Sequence, residues 1–174
     1  MEIAAVVISI LALLFTVLSF WWMNWRKGKL HVGEPRTYAA QGSVMGKMVV
    51  VLPFIFFNDG PTPIIVENLR LVFTSLDGEP LTYWATVKKL VTQEDRTLAT
   101  QFAVLGREAK HLICEFQREQ EFIFTSQKYP LKLEARINEK KEWVELCTFS
   151  LNVGKEDVKT INREFSAHDN MSES

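Results

Sequence analysis

The chain has 174 residues, 47% of them hydrophobic, a formal net charge of −1 at pH 7 and two cysteines. That length admits one ordinary domain with an appendage, and two cysteines cannot build a disulfide-stapled scaffold. Beyond Lys29 acidic side chains outnumber basic ones by 20 to 17, so no cationic surplus supports counterion release and no nucleic-acid partner is expected.

The first predicted element is a membrane helix. From Ile3 to Trp25 there is no charged side chain: IAAVVISILALLFTVLSFWWMNW. At about 1.5 Å per residue such a helix reaches roughly 34 Å, enough to cross a hydrocarbon core of about 30 Å. A cleaved signal peptide would start with cations, carry a shorter apolar core and end in small residues. Here Glu2 is the sole charge before the run, and the run ends in bulky rings. The sequence therefore predicts a retained anchor over residues 1–27.

Phe20, Trp21, Trp22 and Trp25 crowd one end of the anchor, and Arg26, Lys27 and Lys29 follow it. Aromatic rings favour the headgroup level and cationic flanks stay cytoplasmic. Trp21, Trp22, Trp25, Arg26, Lys27 and Lys29 are thus the expected interface anchors. This predicts a single-pass protein of the cell (inner) membrane, N-terminus outside and the rest in the cytoplasm. A domain on the outer, periplasmic face is the alternative.

Within the helix Ala5, Ser9, Ala12, Thr16 and Ser19 recur at spacings of 4, 3, 4 and 3. That spacing aligns small residues on one stripe, the surface by which helices associate in lipid. The expected partners are the bilayer and either another membrane protein or a second copy.

Residues 28–153 carry β signals almost throughout. KMVVVLPFIFF (Lys47 to Phe57) is too apolar for a half-exposed strand and predicts a core strand. Alternation follows in NLRLVF (Leu69, Leu71, Phe73), HLICEFQ (Leu112, Cys114, Phe116) and LKLEARI (Leu131, Leu133, Ala135, Ile137). WVELCTFSL would place Trp143, Cys147, Phe149 and Leu151 on one face, after a polar connector, Asn138 to Glu142, of hairpin length. Thr82–Leu90 reads equally as strand or helical turn. Turn signals stand at Gly42, Gly46, Gly60-Pro61, Asp77-Gly78, Gly106 and Pro130. Seven or eight short strands without helical crossovers predict an all-β fold, an antiparallel immunoglobulin-like β-sandwich preceded by the one transmembrane helix. Residues 154–174 read as a polar, partly disordered tail, with a surface helix at Glu156 to Phe165. Cys114 and Cys147 lie in apolar alternating runs and are expected to be free buried thiols. A bridge between them is the alternative should the domain be extracytoplasmic.

Chemistry is sparse. His31, His111 and His168 are scattered, and His111 and Cys114, three apart on a strand, face opposite ways. No metal, cofactor or catalytic residue is expected, and no hydrolase, metalloprotease, P-loop or dinucleotide motif occurs. The mixed-sign runs Glu115 to Glu121 and Glu139 to Glu145 read as wet faces. Asp59 and Glu67 are carboxylates with no sequence reason to converge. The knot Asn58, Asp59, Gly60, Pro61, Thr62, Pro63 reads as a structural turn: Asn58 or Asp59 bonds backbone two residues on, Gly60 supplies a positive φ, and the prolines stiffen the exit.

The stretches LPFIFFNDGPTPIIVENLRLVF from Leu52, PLTYWA from Pro80, QFAVLGRE from Gln101 and WVELCTFSL from Trp143 carry a likeness. Through them the chain resembles a group of uncharacterised prokaryotic proteins with one N-terminal membrane helix and an immunoglobulin-like sandwich. The resemblance implies the fold and supplies no catalytic residues. The expected function is a non-enzymatic, membrane-anchored interaction or accessory subunit. The alternative is a membrane-tethered module binding a ligand or lipid.

Overall fold

The computed structural model describes residues 2–44, 46–74, 80–87, 96–120 and 122–170. Helix α1 spans Glu2–Asn24 without interruption and is closed by a Trp25 N–H donating to the Trp21 carbonyl at 2.8 Å. It is long and apolar enough to cross a membrane, and its apolar side chains are bare, Ile3 at 82% and Phe15 at 74% exposure.

The rest is all-β and antiparallel. The strands are β1 (Leu30–Val32), β2 (Thr37–Val44), β3 (Lys47–Asn58), β4 (Ile64–Phe73), β5 (Leu81–Val87) and β6 (Arg96–Leu98). They continue with β7 (Phe102–Val104), β8 (Ala109–Arg118), β9 (Gln127–Ile137), β10 (Val144–Val153) and, after helix α2 (Lys155–Ile161), β11 (Ser166–Asp169). Hydrogen bonding runs in the order β10-β9-β4-β5-β8-β3-β2-β11, with β1 on β3, β6 on β5 and β7 on β4. β4 and β5 share two residue pairs, Arg70 with Thr82 and Leu71 with Leu81, so this seam joins two half-sheets.

The half-sheets fold over one another. Phe54 of β3 meets Phe149 of β10 at 5.9 Å between ring centroids, although those strands are far apart in sheet order. Between them Leu52, Phe54, Phe56, Leu69, Leu71, Phe116, Leu131 and Leu133 are fully buried. The period-two patterns of β4, β8 and β9 thus point inward as their sequences predict. Pro53, without an N–H to give, falls on the stretch of β3 between its pairings with β2 (Val49 to Val51) and β1 (Phe56 to Asn58).

Several expectations are corrected. Trp143 does not share the face of Cys147, Phe149 and Leu151. A bulge between Glu145 and Cys147 inserts a residue and reverses the parity, so Trp143 lies on the outer face under the guanidiniums of Arg70 and Arg136, at 4.4 and 4.7 Å. Pro130 is not a turn residue; it lies within β9 just beyond that strand's last pair with β4, Leu131 with Phe73. Glu115 is not a wet residue. It is 1% exposed, Gln117 donates to one oxygen at 2.6 Å, and Arg96 lies 2.8 Å from the other, near enough to pair by charge.

Leu81–Val87 settles as a strand, and the remainder of the Thr82–Leu90 segment lies outside the described residues, as does the Asp77-Gly78 turn. The stretch read as a polar tail is built into the domain as far as Asn170, with Ile161 fully buried and β11 paired along β2. Its last four residues lie outside the described set. Both cysteines are free, Cys114 buried and Cys147 partly so; burial pushes each thiol up to about 12, with the Glu34 and Glu145 carboxylates adding to the effect at Cys147.

Candidate functional site

The knot between β3 and β4 lies where the chain leaves α1. Asn58 is fully buried. Its Oδ1 accepts the Gly60 N–H at 3.0 Å, the expected Asx turn, and its amide nitrogen donates to the carbonyls of Thr62 and Val104 at 2.8 and 3.2 Å. One side chain thus fixes the turn and ties it to the end of β7.

Gly60 is needed for a different reason than a positive φ, which it does not adopt. Its backbone lies directly against Gly28, and a Cβ placed on Gly60 would stand 2.2 Å from the Gly28 Cα. Gly106 meets the knot from the other side; a Cβ there would lie 1.9 Å from the Pro61 carbonyl oxygen. The linker after α1, the knot and the β7–β8 turn are therefore in backbone contact, which only glycine permits.

Asp59 gathers the linker. Its Oδ1 accepts the Lys29 N–H at 2.7 Å, its Oδ2 stands 3.1 Å from His31 Nε2, and its N–H donates to the Lys29 carbonyl at 3.2 Å. Arg26 donates to the Asp59 carbonyl at 2.8 Å, while its guanidinium also covers the Trp22 ring at 4.8 Å. The Lys29 N–H first, then His31 and the Arg26 charge, hold the Asp59 carboxyl below the usual aspartate range. Asp59 thus has convergent partners of which the sequence shows no sign, and they come from the helix exit. Glu67 is elsewhere, accepting the Glu139 N–H across the β9–β10 turn.

Arg107 completes the junction. Held at a φ of 59°, it donates its N–H to the Gly60 carbonyl at 2.9 Å and its guanidinium to the Met23 carbonyl at 2.9 Å. The last turn of a helix leaves carbonyls without partners, and a guanidinium there satisfies one while opposing the negative dipole end. Sequence reading missed this contact, because Arg107 and Met23 are far apart in the chain.

The other predicted positions are placed as follows. Ser9 and Thr16 return their hydroxyls to the carbonyls of Ala5 and Ala12 at 2.9 and 2.8 Å, so these two positions of the stripe present small surfaces with satisfied hydroxyls. Ala5 and Ser9, with Val6, Ile10 and Leu13, line a shallow apolar groove on the helix. Trp21, Trp22 and Trp25 are exposed around the helix end, with Lys27 and Lys29 exposed just beyond.

Two further features lie away from the junction. Ser166 Oγ is 2.7 Å from His168 Nε2, and His168 Nδ1 is 2.8 Å from Asp157 Oδ1, a hydroxyl–imidazole–carboxylate chain. The other Asp157 oxygen accepts the Gly154 N–H at the start of α2, and the His168 ring, its side chain 7% exposed, lies beside Tyr38. Burial and the Asp157 charge push the Tyr38 hydroxyl upward. The chain latches α2 to β11 and β2. A cleft of about 440 Å³ opens beyond the two-pair seam, lined by Tyr83, Thr86, Thr97, Leu98, Phe102 and Lys110 among others. Among the described residues no group of three or more His, Cys, Asp and Glu is placed to hold a metal.

The chain matches no protein-family model, and no curated protein is similar enough to count as a relative.

Proposed function

We propose that the protein is a non-enzymatic, membrane-anchored accessory subunit. On this reading α1 docks in the bilayer against another membrane protein or a second copy, and the sheet domain is presented at the cytoplasmic surface. The observation that carries it is the junction: a bare apolar helix is fastened to the sheet by Arg26, Asp59 and Arg107 and by Gly28 against Gly60. A passive anchor needs only a flexible tether, whereas a fastened helix passes any lateral contact on to the domain. The cations after α1 favour the cytoplasmic placement by the positive-inside bias. The prokaryotic, immunoglobulin-like affiliation rests on the sequence stretches quoted above.

The stripe supplies the docking face on this reading, because small residues let helices approach closely where lipid removes the hydrophobic drive. Extraction of native membranes in mild detergent should return the full chain in a stoichiometric assembly, and Ala12→Ile should dissociate it. A monomer with the wild-type stripe, or an assembly indifferent to Ala12→Ile, would remove the reading.

The ligand-binding alternative has its own observation, the cleft beside the seam. Its volume lies within the range of small-molecule sites, and it combines threonine hydroxyls, the Phe102 ring and the Lys110 ammonium. Native mass spectrometry showing a co-purified small molecule lost on Lys110→Glu would favour it.

A further inference from the structure

We propose that the knot end of the sheet domain is seated in the headgroup layer and binds anionic phospholipid there, so that the domain itself is a membrane-contacting surface. The proposal rests on the reading that α1 spans a bilayer and adds the height and orientation of the domain. Height follows from one contact. The apolar span runs Ile3–Asn24, which places Met23 at the edge of the hydrocarbon. Arg107 is bonded to the Met23 carbonyl, so the turn from Leu105 to Glu108 stands within one side-chain length of that edge. The headgroup layer beyond it is roughly 5–8 Å deep. A turn held at that level lies inside the layer, not above it.

The residues there suit such a position. Leu105 is 50% exposed and Phe57, near the end of β3, 42%, both unexplained by packing within the domain. In the adjoining linker and turn stand Arg26, Lys27, Lys29 and Arg107, against the carboxylates of Asp59 and Glu108, whereas Lys110, paired with buried Phe56, lies on the opposite face of β8 from Phe57. Asp59 is already occupied by the linker, and Lys110 reaches back to the Ala103 carbonyl over the Phe102 ring. Apolar side chains ringed by cations match an interface of acyl boundary and anionic headgroups, where each Lys or Arg near the surface adds attraction. The neighbouring Trp21, Trp22 and Trp25 mark the same level from the helix side.

The test uses the full chain in lipid nanodiscs with a spin label at one of three positions: Leu11→Cys in the helix, Leu105→Cys in the turn, or Gln127→Cys at the opposite end of β9. Cys114, buried, and Cys147, partly buried, are replaced by alanine in the labelled chains so that only the introduced thiol reacts. In bilayers containing phosphatidylglycerol, labels at 11 and 105 should be severalfold more accessible to oxygen than to a water-soluble nickel chelate, and the label at 127 the reverse. Because the mooring sets the height, the anionic preference is read separately: native mass spectrometry from mixed nanodiscs should show phosphatidylglycerol retained over phosphatidylcholine, and less of it when Lys27→Glu and Lys29→Glu are combined. Leu11 in lipid with Leu105 in water would overturn this proposal alone. Leu11 in water would overturn the membrane reading beneath it. Equal retention of the two lipids would refute the anionic preference.

Discussion

Asn58, Asp59 and Gly60 are adjacent, yet the structure gives them three different tasks, and substitution should separate them. Asn58→Ala strands a buried N–H and two carbonyls and should cost about 1–3 kcal/mol in urea unfolding. Gly60→Val drives a side chain into the Gly28 backbone and should cost at least the roughly 1–3 kcal/mol of ordinary overpacking. Asp59→Asn should leave the fold nearly intact and loosen the linker instead. If Asp59 proves indispensable to folding while Gly60 accepts valine, the assignment is reversed. The sign of the pH effect follows from the lowered carboxyl of Asp59. Its contribution is present above the unfolded aspartate value, about 4, and is lost as pH falls through the lower folded value. Acid titration comparing wild type with Asp59→Asn should therefore show the difference persisting at neutral pH and vanishing only below that range. The thiols, both pushed up to about 12, should resist iodoacetamide at pH 8 in the folded protein and react at once in denaturant.

At the scale of elements, the sheet's two ends are joined by side chains. Asn170, just past β11, donates to the Pro35 and Ser150 carbonyls and accepts the Asn152 N–H, while Tyr38 of β2 donates to the Asn152 carbonyl at 2.8 Å. Such stitching protects strand edges that would otherwise seek other chains. Asn170→Ala should lower stability by about 1–3 kcal/mol and raise the tendency to aggregate, read by unfolding and light scattering. An unchanged midpoint would show that the ends close without it. The legibility of the sequence divides along the same line. β4, β8 and β9 were readable because alternation of period two records one buried face, and β3 because its apolar run is rich in β-branched and aromatic residues. β11 was not, because SAHD is four residues of no clear pattern whose pairing depends on β2, far away in the chain. Trp143 was misplaced since one bulge residue inverts parity without leaving a local mark, and Glu115 because its burial depends on neighbouring strands.

For the whole molecule, the long apolar helix was legible from composition alone, and the knot was legible as a turn. What the sequence concealed is that the turn fastens that helix, because Arg107 meets Met23 and Asp59 meets Lys29 only once the sheet has folded. That mooring makes helix and sheet a single mechanical unit. A spin-label distance measured in nanodiscs between Leu18→Cys on the helix and Lys128→Cys on β9 tests it most directly. The mooring predicts one narrow distance distribution that broadens when Arg107→Ala is added; a broad distribution already present without that change would contradict it.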